Sequence, residues 1–322
     1  MTTVFRSIEA ARHRFGPCAL TIGNFDGVHV GHQALLAETR AYAAAKGLPS
    51  AVLTFDPHPA AVVAPERLPE MICTLEERIT LLSSNGADRI LVLPFTADIA
   101  RLTPEEFVSQ ILIDALQTEA VVVGENFRFG YKQAGTPETL RALGDEHGFV
   151  SRFLEPVSVR GEIVSSSAIR RSLSRGNVSR AARLLGRCFF IEGPVVPGHG
   201  VGAKQTVPTL NLGPQPGQLV PRGVYITETI DLLGNRRWPS ITNAGVRPTF
   251  GGNELTIETF LLSPLEGEKP ERIEVQFRRF VRPERTFPNA EALKDQILRD
   301  ASAAQTYWRR VAKLAQPAPS IY

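Results

Sequence analysis

The sequence predicts a parallel, doubly wound α/β domain followed by a small β-barrel and a terminal helix. In the first half, short apolar runs alternate with helical patterns. The second half changes to closely spaced strands among dense prolines and glycines, and the last apolar pattern has helical spacing. Alternating β and α elements are typical of a parallel sheet covered on both faces. A chain of 322 residues is long for one core, which favours two domains.

The first domain is predicted from apolar runs rich in β-branched residues and from the helical patterns between them. Strands are expected at 19–22, 51–55, 89–93 and 120–123, and helices at 31–46, 75–83 and 104–116. The last helix begins with Thr103 as N-cap and Pro104 at its first position. The boundary is expected near residue 185, which gives domains 1–185 and 186–315.

Four alternating segments predict the strands of the second domain, and one helical pattern ends it. The segments are GVYITETIDL, RRWPSITNAG, LTIETFLL and IEVQFRRFV, separated by turn residues. Short, closely spaced strands with turn signals favour a small barrel or sandwich. The helical spacing over 289–313 predicts a helix that packs against it.

Composition indicates a cytosolic protein. No apolar run reaches the length of a membrane span, and the first residues lack the apolar core of a secretory signal. The three cysteines, Cys18, Cys73 and Cys188, are widely spaced and are interpreted as reduced. The sequence leaves the oligomeric state open, a homo-oligomer included.

A basic segment lies between Glu162 and Thr227, where Glu192 is the only acidic residue. It contains Arg170, Arg171, Arg175, Arg180, Arg183, Arg187 and Lys204. Such a segment could attract polyphosphate or nucleic acid. For most of these residues a solvated helix face is the favoured interpretation, and no nucleic-acid partner is predicted.

The string GNFDGVHVGHQ at 23–33 raises a question about its two histidines, His29 and His32. Zinc sites on one helix usually use histidines four apart with a nearby acid, whereas these are three apart with Gly31 between them. They lie at a strand-to-helix junction, where backbone N–H groups and the helix dipole favour an anion. A phosphate site is therefore favoured over a metal site, with structural histidines as the remaining alternative.

This string resembles the nucleotidyltransferase signature of the prokaryotic bifunctional riboflavin kinase/FMN adenylyltransferases. Three further motifs of that family follow in order: FDPHP at 55–59, GENFRFG at 124–130 and SSAIR at 166–170. Two departures are Gln133 where many relatives carry arginine and Ser167 where threonine is common. The resemblance implies a Rossmann-like nucleotidyltransferase fold for the first domain.

The resemblance also implies the residues of adenylyl transfer. His29 and His32 would hold the ATP phosphates and stabilise charge as FMN attacks the α-phosphorus. Phe55, Pro57 and His58 would bind the flavin ring, with core packing an equal alternative for Phe55. The remaining ATP-binding residues would be Gly23, Asn24, Phe25, Asp26, Asn126, Ser166, Ser167 and Arg170.

The second half resembles the family's riboflavin kinase module. The segment GVGAK at 200–204, then PTLNL at 208–212, resembles its glycine-rich loop and P-T-x-N motif. The resemblance implies ATP contacts from Gly200, Gly202, Lys204, Thr209 and Asn211, the last two also as Mg²⁺ ligands, because their oxygens are hard ligands. The loop departs from the family pattern by lacking an arginine and a glycine, and Phe260 replaces a usual histidine.

Glu258 stands at the family's position for a general base, and Arg282 and Glu284 at its flavin-binding position. By alternation alone, Glu258 would be an outward residue on a strand; with the resemblance, a catalytic role is favoured.

The resemblance implies that the enzyme phosphorylates riboflavin to FMN and then adenylylates FMN to FAD, with ATP and Mg²⁺ in both steps. The alternatives are a monofunctional adenylyltransferase with a decayed kinase module, another nucleotidyltransferase of the HxGH type, and a flavin- or RNA-binding protein without turnover. No membrane partner is expected.

Overall fold

The computed structural model describes residues 1–197, 209–249 and 252–315. The chain forms two compact units that divide between Ser166 and Ser167. The predicted fold class is confirmed: a parallel sheet with helices precedes a closed antiparallel barrel and a terminal helix. The boundary near residue 185 stays a prediction. No helix among the described residues is long and apolar enough to cross a membrane.

A six-stranded sheet forms the first unit, in the order β1-β4-β3-β2-β5-β6, and every pairing in it is parallel. The strands are β1 Thr3–Phe5, β2 Cys18–Ile22, β3 Ser50–Asp56, β4 Arg89–Pro94, β5 Thr118–Gly124 and β6 Val150–Leu154. From β2 the chain winds outward through β3 and β4, and it then returns to the other side of β2 with β5. The carboxyl ends of β2 and β5 are therefore the point where ligands bind in open α/β sheets.

Helices connect these strands, and a short antiparallel pair, β7 Ser158–Val159 and β8 Glu162–Ile163, ends the unit. The helices are α1 Ile8–Ala11, α2 Val30–Lys46, α3 Ala60–Val63, α4 Leu75–Ser84, α5 Ala97–Arg101, α6 Pro104–Glu106 and α7 Pro137–His147. The four predicted strands and three predicted helices are present. The elements that were not predicted are β1, β6, β7, β8, α1, α3, α5 and α7.

The helix predicted over 104–116 is present with a different winding. Thr103 caps it in a capping box with Glu106, as predicted, but after α6 the residues Phe107–Ala115 are π-helical. Apolar spacing alone does not distinguish the two windings, because Phe107, Val108, Ile111 and Leu112 are buried in the same core.

The second unit begins in α8 Ser166–Ser174 and α9 Val178–Leu185, which precede the barrel. The barrel closes in the order β10-β13-β12-β11-β14-β9, with antiparallel neighbours. Its strands are β9 Phe189–Val196, β10 Thr209–Leu212, β11 Gly223–Asp231, β12 Arg237–Thr249, β13 Gly252–Leu261 and β14 Arg272–Arg282. The predicted terminal helix is α10 Ala290–Ala315.

The two faces of the barrel wall differ in character. Val224, Ile226 and Ile241 pack outward against Ala304 of α10. The opposite face of the wall carries a ladder of hydroxyl side chains from β11, β12 and β13. Its members, all fully buried and joined at 2.8–2.9 Å, are Thr227, Thr229, Ser240, Thr242 and Thr259.

Candidate active sites

The turn after β2 has an unusual backbone. Phe25, Gly27 and Val28 have φ values of +50°, +80° and +37°. Such values are rare for side-chain-bearing residues and cluster at ligand sites, where surrounding contacts enforce them. At Gly27 a side chain would also collide with Ile72, because an added Cβ would lie 2.8 Å from its Cγ2. The conformation of the turn is therefore restricted both by its backbone angles and by the close packing of Ile72.

The two histidines of this turn stack on each other. The ring centroids of His29 and His32 are 3.6 Å apart with an interplanar angle of 15°, and Phe25 meets the His32 ring edge-on at 5.0 Å. His29 is the N-cap of α2, and its Nδ1 accepts the backbone N–H of His32 at 3.3 Å. A neutral His29 ring therefore carries its proton on Nε2, where it can donate to an anion.

His32 lies in a more enclosed environment. Its buried Nδ1 has no hydrogen-bond partner within the part of the chain that the structure describes. Burial, and then the proximity of His29 and Arg78, lowers the pKa of His32 well below its ordinary value. Near neutral pH the His32 ring is therefore uncharged. The stacked pair presents hydrogen-bonding nitrogens at the start of α2, as an anion site requires.

Asp26, predicted to contact ATP, has a carboxylate engaged inside the protein. It is 1 % exposed and accepts the backbone N–H groups of Ile72, at 2.9 and 3.1 Å, and Cys73, at 3.2 Å. These bonds fasten the chain just before α4 to the histidine turn. Asp26 thus shapes the site, and a contact with ATP stays a prediction. Burial raises the pKa of the adjacent Cys73 thiol to about 12, which keeps it protonated.

The second predicted turn, after β3, lies beside the first. Nε2 of His58 is 3.2 Å from the side-chain nitrogen of Asn24, and Nδ1 of His58 accepts the backbone N–H of Ala60. The Phe55 ring is half-buried and meets Phe95 edge-on at 5.5 Å, while Pro57 is exposed. The structure brings together Asn24, predicted to contact ATP, and His58, predicted to contact the flavin.

The remaining predicted residues lie at two further chain segments. Asn126 is exposed, two residues beyond the end of β5, the strand that neighbours β2. Ser166 begins α8, and its hydroxyl donates to the backbone carbonyl of Asp26 at 3.0 Å. Ser167, exposed, and Arg170, half-buried, follow on the same helix and belong to the second unit. Gly23 directly follows β2, and its N–H donates to the Leu53 carbonyl.

In the barrel, strand register aligns three polar residues, of which Asn211 and Glu258 were predicted as site residues and Asn243 was not. Asn211 of β10 pairs with Glu258 of β13, and Glu258 pairs with Asn243 of β12. Cross-strand partners share a face, so these three half-buried side chains form a row on the outer side of the wall, the side of Ile241. Thr209 lies two residues before Asn211 and is on this face too. Glu258 points outward, as alternation predicts, and has both asparagines beside it.

Arg282 and Glu284, which are predicted to bind flavin, lie at the continuation of this row. Arg282 of β14 donates from Nε and Nη2 to the Asp300 carboxylate of α10 at 3.0 and 2.8 Å. Gln296 of α10 in turn donates to Asp300 and accepts from Arg285. The exposed Glu284 lies against Gly245, where any Cβ would overlap its carboxylate. The predicted Gly200, Gly202 and Lys204 fall outside the described residues.

Three residues at these sites were not singled out from the sequence. Asn243 lies in the predicted strand segment RRWPSITNAG, but only the strand pairing places it beside Glu258. Arg78 is 4 % exposed on α4, although an arginine in an amphipathic helix is ordinarily a surface residue. Asp300 is buried at 4 % exposure, and nothing in its neighbours along the chain signals the ion pair with Arg282.

Comparisons with known proteins agree with the division of the chain into an α/β unit and a barrel unit. Residues 11–168 match the family model described as FAD synthetase, and residues 185–308 match that of riboflavin kinase. The protein named bifunctional riboflavin kinase/FMN adenylyltransferase from Pseudomonas fluorescens is 36 % identical over 301 residues, covering 93 % of this chain and 96 % of its own. This chain belongs to that family.

Other members show the same extent of similarity. The bifunctional riboflavin kinase/FMN adenylyltransferase of Escherichia coli K12 is 35 % identical, covering 90 % of this chain and 93 % of its own. A crystal structure titled as a macrolide-efflux protein from Streptococcus pneumoniae superposes with a TM-score of 0.83 at 26 % identity, covering 94 % of this chain and 98 % of its own. Both units of the fold thus occur together in a solved protein.

Proposed function

We propose that this bifunctional family member makes FMN and then FAD from riboflavin, one step in each half. The barrel transfers the γ-phosphoryl group of ATP to riboflavin, releasing ADP. The α/β unit transfers the adenylyl group of a second ATP to FMN, releasing pyrophosphate. The observation that carries the proposal is that each family match contains its own built cluster: the stacked His29–His32 pair and the Asn211–Glu258–Asn243 row.

Adenylyl transfer requires positioning and charge stabilisation, and no protein nucleophile. A phosphate oxygen of FMN attacks the α-phosphorus, and the bond to the β-phosphate breaks. We assign His29 and His32 to the ATP phosphates, with Nε2 of His29 as donor. The neutral state of His32 makes it a hydrogen-bonding group, while the start of α2 supplies the positive field. Asn126 and Ser166 would complete the nucleotide site, and Phe55, Pro57 and His58 would hold the flavin. Ser167 and Arg170 are proposed ATP contacts from the sequence.

Riboflavin phosphorylation requires a base for the 5′-hydroxyl, and we assign this role to Glu258. Its carboxylate takes the hydroxyl proton as the oxygen attacks the γ-phosphorus. Asn243, directly opposite on β12, is placed to orient that carboxylate by hydrogen bonding. Arg282 and Glu284 would contact the flavin side, with Arg282 held in place by Asp300.

The donor set around Asn211 suits Mg²⁺. The Thr209 hydroxyl and the Asn211 amide oxygen are hard oxygen groups on one face of β10, beside the strand that carries Glu258. When bound there with ATP, Mg²⁺ would neutralise the developing phosphate charge. Gly200, Gly202 and Lys204 are proposed ATP contacts from the sequence. We place the enzyme in the cytoplasm with ATP, riboflavin and FMN as its partners, and propose no role for nucleic acid.

The test is incubation of the purified chain with riboflavin, ATP and Mg²⁺, with the flavins separated by chromatography over time. FMN that rises and then converts to FAD supports both activities. Unchanged riboflavin with conversion of supplied FMN would leave a monofunctional adenylyltransferase. No conversion of either flavin would contradict the proposal.

A further inference from the structure

A buried arginine lies behind the histidine turn without an acidic partner. Arg78, in the first turns of α4, is 4 % exposed, and its Nε has no hydrogen-bond partner in the described part of the chain. Among the described residues, no carboxylate forms an ion pair with it; its hydrogen bonds go to uncharged oxygens. Burying a charge costs free energy of folding unless the charge is well paired, so the burial of this guanidinium needs a physical explanation.

The contacts of Arg78 join the ends of two strands. Its Nη1 donates to the Thr54 hydroxyl at 3.3 Å and to the Phe55 carbonyl at 3.0 Å, at the end of β3. The Thr54 hydroxyl donates onward to the backbone carbonyl of Asn24 at 3.2 Å, in the turn that carries the histidines. One guanidinium thus links the turn after β2 to the flavin-side turn after β3.

The start of α4 is itself fastened to the histidine turn. The Asp26 carboxylate holds the N–H groups of Ile72 and Cys73, and Thr74 then caps the helix in a capping box with Glu77. A closed path therefore runs from Asp26 through α4 and Arg78 to Thr54 and back to Asn24, two residues from where it began. Such a path fixes a backbone that positive φ values would otherwise disfavour.

We propose that Arg78 is a positioning residue for adenylyl transfer, which holds the two site turns at their working separation and keeps positive charge beside the phosphate-binding histidines. This inference rests on the function proposed above. Arg78 touches no substrate in this role. It acts through Thr54, Asn24 and the Phe55 carbonyl, and through its field at His32.

The field of Arg78 gives a readout that packing alone would not change. The titratable or charged groups that act on the His32 ring are His29 on the turn and Arg78 on α4. Both lower the pKa of His32, so removing the guanidinium will raise it, whereas a lysine at the same place will keep it low. If Arg78 acted only through packing and hydrogen bonds, the His32 ring would titrate at the same pH in both variants.

The experiment compares Arg78→Met, Arg78→Lys and Thr54→Val, each assayed for FAD formed from supplied FMN and for FMN formed from riboflavin. Arg89→Met is the matched control, because Arg89 is a half-buried arginine that, like Arg78, donates to a backbone carbonyl, that of Phe15, but lies at the other end of the sheet. The His32 ring is titrated by NMR in each variant. Riboflavin phosphorylation serves as the internal measure of active barrel, and circular dichroism checks that the α/β unit is folded.

In Arg78→Met we expect kcat for FAD formation to fall about 10- to 100-fold, as for a misplaced reacting group, with riboflavin phosphorylation unchanged. The His32 pKa should rise in this variant alone. Arg78→Lys should keep the low His32 pKa yet lose part of kcat, because an ammonium lacks the planar fork. Thr54→Val should lower kcat without moving the His32 titration.

The inference is overturned if Arg78→Met keeps kcat within about twofold, if Arg89→Met lowers FAD formation as much, or if the His32 titration is the same in all variants. Should Arg78→Met fail to fold, full kcat in both Arg78→Lys and Thr54→Val would overturn it equally. Failure of the proposed function looks different, because the unaltered chain would then form no FAD from FMN.

Discussion

The two halves of this chain build their candidate sites by different means. In the α/β unit, the candidate site residues lie in turns that follow β2, β3 and β5, and the Asp26 carboxylate and Arg78 form hydrogen bonds at the first two of these turns. In the barrel, the row of Asn211, Glu258 and Asn243 comes from strand register. A turn site depends on local backbone conformation, whereas a strand site depends on pairing, where a slip of one residue would turn each side chain to the other face.

The buried residues of the two halves also differ in polarity. The α/β core is apolar throughout its main cluster, which includes Leu20, Leu53 and Val121. The barrel wall instead carries the buried hydroxyl ladder of Thr227, Ser240, Thr242 and their neighbours. Because each hydroxyl needs a partner on a neighbouring strand, the ladder favours a single register, and with it the alignment of the outer row.

The largest expected effect separates the two halves through Glu258. Glu258→Gln should lower riboflavin phosphorylation about 10²- to 10⁴-fold, because it removes the base while keeping shape. Conversion of supplied FMN to FAD should not change, and chromatography of both reactions measures this directly. Equal loss of both activities would mean that the two sites are not independent.

The converse effect comes from His29. Both His29→Ala and His29→Asn should lower FAD formation about 10²- to 10³-fold, as for loss of a group that stabilises transition-state charge. Riboflavin phosphorylation should persist. Asparagine can still cap α2, so only His29→Ala should also lose about 0.5–2 kcal/mol of unfolding free energy. If the asparagine variant keeps activity, the imidazole acts only as a cap.

A third prediction concerns the ladder. Thr227→Val leaves the Ser240 and Thr242 hydroxyls short of a partner, which should cost about 1–3 kcal/mol of barrel stability. On heating, riboflavin phosphorylation should be lost earlier than in the parent, while FAD formation is retained. Thr306→Val is the control, since its hydroxyl bonds only within its own helix, to the Ser302 carbonyl and the Arg309 guanidinium, and it should change stability by less than about 0.5 kcal/mol.

The smallest expected effect concerns Gly245. Its replacement by alanine should push the exposed Glu284 carboxylate away, raising the riboflavin KM several-fold with little change in stability. Glu284→Ala should have a similar effect, and the double variant should be no worse than either single one, because both act on one contact. Additive effects would show that Glu284 is not the group through which Gly245 acts.

Sequence patterns predicted the bounds of helices and strands most accurately where the local signal was strong. The strand predicted over 19–22 and the helix over 31–46 match β2 Cys18–Ile22 and α2 Val30–Lys46 closely, because apolar periodicity and a glycine C-cap mark them. The three-residue β1 carries too little pattern to be predicted. The roles assigned to individual site residues remain predictions, as does the domain boundary.

The sequence by itself determined the fold class, the order of the main elements, the family and the identity of most candidate residues, since these depend on periodicity and on motifs read along the chain. Only the tertiary structure decided how those residues act together. Burial and the proximity of His29 and Arg78 make His32 neutral, register sets Asn243 beside Glu258, and Asp300 holds Arg282. The physical reason is that pKa values, cross-strand pairs and buried ion pairs depend on neighbours distant in the chain.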